Sequence, residues 1–84
     1  MDAPRPTSYE RIDAALAQVR REVLSAQKKF GPMASPHEGY AVIQEEVDEL
    51  WHEVKHGSRT SAHPEAVQVA AMAVRFLVDL YGEE

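Results

Sequence analysis

Glu46, Glu49 and Glu53 recur at i, i+3 and i+7 within a stretch rich in apolar residues. On a helix that spacing stacks three carboxylates along one face, where like charges repel unless water or a cation relieves them. Glu65 and Gln68 stand one turn apart on the next apolar-periodic segment. Glu65 is expected to open that helix, at the end where a carboxylate suits the dipole. Two facing helices that each offer oxygen ligands one turn apart make a site for Mg²⁺ or Mn²⁺, because hard cations take carboxylate, amide oxygen and water. A solvated acidic helix face is the plainer explanation of a lone carboxylate run. The ligands on the second helix favour the metal.

Other residues invite chemistry with less support. His52-Glu53-Val54-Lys55-His56 matches the HExxH pattern, which sets two imidazoles at i and i+4 where they can grip Zn²⁺. The chain has no room for cleft-forming lobes and no evident third ligand, and Lys55 and His56 have a simpler role in opposing the negative end of a helix dipole. His37 and His63 flank the starts of two helices and read as solvent-exposed loop residues. Lys55, Arg59 and Arg75 are the cations best placed to meet phosphate oxygens, with Arg75 a single charge in an otherwise apolar run. An ion pair with a carboxylate across an oligomer is the competing role for Arg75. Trp51 and Tyr40 flank the apolar stripe of the acidic segment, where interface packing competes with stacking on a base.

The elements that must position these groups are helices. From Tyr9 to Phe30, Ile12, Leu16, Val19, Val23 and Phe30 recur at helical spacing, and Gly31-Pro32 stops the run. Ser35-Pro36-His37-Glu38 has the form of a capping box, with Ser at N-cap, Pro at N1 and Glu reaching back, so a second helix is expected over 36–56, ending at Gly57. Residues 57–63 read as a polar loop, and Pro64 as the first residue of a third helix over about 64–81. Residues 1–8 read as a disordered leader and 9–84 as a single helical domain.

On the second helix Tyr40, Ile43, Val47, Leu50 and Val54 share one side, roughly 110° from the carboxylates. The third helix is apolar nearly all round, with Val67, Ala70, Val74 and Leu77 on one side and Val69, Met72, Phe76 and Leu80 on much of the other. A helix of that kind must be buried nearly all round, and two companions from the same chain can hardly enclose it. The expected fold is therefore an all-α, three-helix protomer that assembles into an oligomeric four-helix-bundle core, a dimer or a tetramer.

Composition narrows the function classes. The 84 residues hold 9 Lys+Arg against 14 Asp+Glu, a formal charge of -5, and no cysteine. A chain this short barely offsets its folding entropy, and neither disulfides nor thiolate metal sites are open to it. An acidic balance without a basic stripe argues against binding a nucleic-acid polymer. There is no long uninterrupted apolar run, so a membrane span is not expected, and a soluble cytoplasmic protein is.

The acidic segment and its successor resemble the MazG-like all-α nucleoside triphosphate pyrophosphohydrolases. The signature of that family is EExxE on one helix followed by ExxD on the next. Glu45-Glu46-Val47-Asp48-Glu49 supplies the first part, and Glu65-Ala66-Val67-Gln68 stands where the second belongs, with 15 residues between Glu49 and Glu65. The likeness covers residues 37 to about 80 and, by length and small size, suggests a short, phage-type member. It implies cleavage of a (deoxy)nucleoside triphosphate to the monophosphate and pyrophosphate, with Mg²⁺ or Mn²⁺ as cofactor. It also implies that Glu46, Glu49 and Glu65 are metal ligands and that Glu45, together with Glu46 and Glu49, belongs to the catalytic set. The departure is Gln68 in place of Asp: its carbonyl oxygen can ligate, but the site loses one negative charge. Glu53, one turn past Glu49, is the residue best placed to compensate. Arg75 and Lys55 are the expected substrate contacts. The competing class is a catalytically silent helical module that binds metal or a protein partner.

Overall fold

In the computed structural model, which describes residues 4–82, every regular element is a helix: α1 (Ser8–Lys29), α2 (Pro36–His56) and α3 (Arg59–Tyr81). Each begins where a hydroxyl side chain can accept an otherwise unpartnered backbone N–H. Thr7 Oγ1 accepts from Glu10 N at 3.1 Å, and Lys28 and Lys29 close α1 at the end where cations suit the dipole. Ser35 Oγ accepts from Glu38 N at 3.1 Å, with Pro36 at the first helical position.

Three local expectations are corrected. The reciprocal capping box lies at α3 rather than α2: Ser58 Oγ accepts from Ser61 N at 3.1 Å, and Ser61 Oγ accepts from Ser58 N at 2.7 Å. That pair starts α3 at Arg59, five residues before the expected Pro64, and the proline is carried inside the helix. Its ring lacks the N–H that would bond the Thr60 carbonyl, a loss confined to an exposed first turn where solvent can replace the donor. The end of α1 falls as expected just before Gly31-Pro32, through Phe30 in extended conformation. Of the leader expected over 1–8, residues 1–3 lie outside the described residues, 4–7 are exposed and non-helical, and Ser8 already belongs to α1.

The helices form one layer. α3 packs against both α2 and α1, which do not pack on each other. The molecule measures 53 × 36 × 19 Å, its thinnest dimension less than two helix diameters. Val23 and Ala26 of α1 meet Ala71 and Met72 of α3, with Val19, Val42 and Ile43 packed around them. Gly39 sets the approach of α2 to α3, since a Cβ there would lie 2.5 Å from Phe76 Cδ2.

A second tie joins α3 to the connection between α1 and α2. Arg75 is buried; its Nη2 donates to the Gly31 carbonyl at 3.0 Å and lies 3.6 Å from Asp79 Oδ2. The same Asp79 oxygen accepts from Met33 N at 3.0 Å. One buried ion pair thus satisfies two backbone groups of a segment that has no helix of its own to pair with.

Candidate metal centre

Glu46 and Glu49 project from the middle of α2, and Glu65 comes across from α3. One carboxylate oxygen from each lies within 4.8 Å of the other two. It is the one group of three or more Asp, Glu or His side chains among the described residues that converges in this way. The i, i+3 spacing on α2 aims two carboxylates in one direction, and the α2–α3 packing brings the third to them.

The crowding shows in the protonation of the group. Glu46 is raised from 4.5 to about 7, by partial burial first, then by the charge and hydrogen bond of Glu49, and then by the charges of Glu65 and Glu45. Glu65 is also raised, by partial burial, by the charge and hydrogen bond of Glu49, and by the charge of Glu53. Carboxylates this close are stabilised by a proton shared between them or by a cation. Their donor set is all oxygen, which fits a hard divalent ion and not a thiophilic one.

The chain matches no protein-family model, no curated protein and no solved structure. The reading of this site therefore stands on its residues and their geometry.

Glu53 is half-buried and near enough for its charge to act on Glu65, which keeps it beside the group. Glu45 is exposed and acts on Glu46 through its charge. Gln68 is half-buried one turn beyond Glu65 on the same side of α3. Since α3 starts at Arg59, Glu65 lies in its second turn and not at its opening. The helix dipole, which is felt within the first turn, thus contributes little there, and the cluster is governed by its own charges.

The expected cations lie elsewhere. Arg75 is ten residues beyond Glu65, about 15 Å along the helix, and is engaged by Asp79 and Gly31. Its ion pair forms within one chain, not across an assembly as the sequence suggested. Its Nε is buried without a hydrogen-bond partner. Lys55 is exposed, with its ammonium 5.2 Å from the centroid of the Trp51 ring, a cation–π arrangement at the surface. His52 and His56 are exposed neighbours, ring centroids 5.0 Å apart and tilted by 53°, and no third ligand converges on them among the described residues.

Sequence reasoning passed over the Arg75–Asp79 latch. Its signal is present, since Arg and Asp at i and i+4 are isolated charges in an apolar helix, and such a pair is tolerated only where each charge finds a partner.

Proposed function

We propose that the chain is a metal-dependent nucleoside triphosphate pyrophosphohydrolase of MazG-like type, working as a homo-oligomer, a dimer or a tetramer. The observation that supports it is the convergence of Glu46, Glu49 and Glu65 from two helices to within 4.8 Å. These three, with Glu53 next to them and Gln68 one turn further along α3, would hold Mg²⁺, or Mn²⁺ in its place. Such an ion supplies charge neutralisation for triphosphate oxygens and lowers the pKa of water.

The chain's own groups divide the remaining work. Glu46 and Glu49 would supply two of the ion's oxygen ligands from one face of α2. Glu65 would add a third carboxylate from α3. Glu45, exposed and outside the converging three, is the carboxylate free to accept the proton of the attacking water. Water adds at phosphorus, the α–β phosphoanhydride bond breaks, and pyrophosphate leaves with the electron pair of the bridging oxygen. Gln68 in place of a carboxylate weakens the hold on the ion without removing an oxygen ligand.

The engagement of Arg75 in the latch favours one alternative, a catalytically silent helical module that binds metal or a protein partner, because the strongest expected phosphate contact is spent on the fold. One experiment separates the two. Ordinary, deoxy and modified nucleoside triphosphates are assayed for pyrophosphate with Mg²⁺ and with Mn²⁺, beside Glu49→Ala. Turnover by the wild type that is lost in the variant is the expected result. No turnover on any member, with Mg²⁺ still raising the melting temperature, would leave the silent module in its place.

A further inference from the structure

We infer that His52 and His56 form a two-imidazole clamp for a borderline divalent ion, Zn²⁺, Ni²⁺ or Cu²⁺, on the exposed side of α2 and separate from the all-oxygen carboxylate cluster. The clamp stands apart from nucleotide hydrolysis, and its experiment reads ion binding and ligand type rather than turnover.

Geometry is the first argument. Side chains four residues apart on a helix stand one above the other on one face, and α2 runs unbroken through both positions. The two rings are 5.0 Å apart between centroids and tilted by 53°. An ion bonded to one nitrogen of each ring at about 2.1 Å holds those nitrogens roughly 3 Å apart, a separation that rings at this distance reach by turning about χ2. Both side chains are exposed, so the ion and the waters that complete its coordination enter without disturbing any packing.

The neighbours are the second argument. Asp48 and Glu49 stand one turn before His52, both exposed, and Asp48 accepts from Gln44 Nε2 at 2.9 Å. Their charges draw a cation toward this stretch of α2. Lys55, the one lysine on the helix, is drawn aside, with its ammonium 5.2 Å from the centroid of the Trp51 ring. Glu53, which lies between the two histidines in sequence, is turned elsewhere: a Cβ on Gly57 would meet one of its carboxylate oxygens, and its charge acts on Glu65. The glutamate of the HExxH pattern thus lies beside the carboxylate cluster, and the pair binds an ion without peptidase chemistry.

A role against the helix dipole accounts for His56 in the last turn of α2. It does not account for His52 one turn earlier, nor does it need two rings side by side. Chelation needs both. Imidazole suits Ni²⁺, Cu²⁺ and Zn²⁺, whereas Mg²⁺ takes oxygen, so the two sites on α2 sort ions by ligand type. An ion held across two turns also requires both turns to be helical, and so fastens the end of α2.

The experiment uses the whole chain without an affinity tag, with saturating Mg²⁺ present to occupy the carboxylates. Calorimetric titration with Ni²⁺ or Zn²⁺ alone is expected to show an ion bound to the wild type, with a rise in melting temperature. His52→Ala and His56→Ala, both at exposed positions, should each weaken that binding at least about tenfold. His37→Ala, His63→Ala and Glu49→Ala should retain it. Electron paramagnetic resonance of bound Cu²⁺ gives an independent reading, with coupling to two imidazole nitrogens in the wild type and to one in either single variant. Binding that survives removal of both histidines overturns the clamp, as does binding lost in Glu49→Ala but kept in the histidine variants. A Cu²⁺ spectrum from oxygen ligands alone does the same. Failure of all three ions to bind also overturns it, and leaves the Mg²⁺ reading of the carboxylate cluster standing.

Discussion

The two ends of α3 treat charge in opposite ways. Near its start Glu65 joins Glu46 and Glu49, three converging carboxylates, and the group answers by holding on to protons. Near its end Arg75 and Asp79 are buried together, each also bonded to a backbone group of the α1–α2 connection. The balanced end fastens the chain. The unbalanced end costs stability until something positive arrives, which is the usual mark of a site and not of a scaffold. The sharpest tests exchange these roles.

The largest effect is expected at the balanced end. Arg75→Ala leaves Asp79 buried without its cation and frees the Gly31 carbonyl, and should lower unfolding free energy by about 3 to 5 kcal/mol, read from denaturant melts. A loss within the range of a surface substitution would mean that the latch does not hold the connection. At the unbalanced end Glu49→Ala should do the reverse to the metal-free fold, raising its melting temperature by relieving repulsion. It should also abolish the rise on adding Mg²⁺ and lower pyrophosphate release by about two to three orders of magnitude.

The pH dependence of the metal-free protein sharpens the same contrast. The Glu46 carboxyl is raised from 4.5 to about 7 in the folded chain, so the folded state holds that proton more tightly than the unfolded one. The stabilisation is full below about 4.5 and is lost as pH rises through about 7. Melting temperature should therefore fall across that window, and saturating Mg²⁺ should flatten the fall by replacing the proton. A profile unchanged in Glu46→Gln would remove Glu46 as its source. The smallest effect is expected from Gln68→Asp, which restores a negative charge one turn from Glu65 and should tighten Mg²⁺ severalfold by calorimetric titration. Unchanged or weaker affinity would place Gln68 outside the ion's reach.

Much of the candidate site was legible beforehand because it is written in helical spacing. Glu46 and Glu49 share a face by their separation alone, and α2 begins and ends where Ser35, Pro36 and Gly57 place it. The start of α3 was misplaced because Pro64 is a strong signal for a first turn, while the two serines that cap the helix carry a weaker one. The engagement of Arg75 within the chain was not legible, for a different reason. Its spacing to Asp79 is visible, but its bond to Gly31 spans 44 residues, and no local pattern reports a contact of that range.

By itself, then, the sequence determined three helices, an acidic face on the second and an uncovered apolar surface on the third, since each follows from periodicity, capping and composition along a continuous stretch. Only the tertiary structure decided that Glu65 reaches Glu46 and Glu49, and that Arg75 is engaged by Asp79 and the Gly31 carbonyl. Those depend on how α2 and α1 seat against α3. That seating is set by Gly39 beside Phe76 and by the Arg75–Asp79 latch, contacts between residues far apart in the chain whose strength appears only once the helices have met.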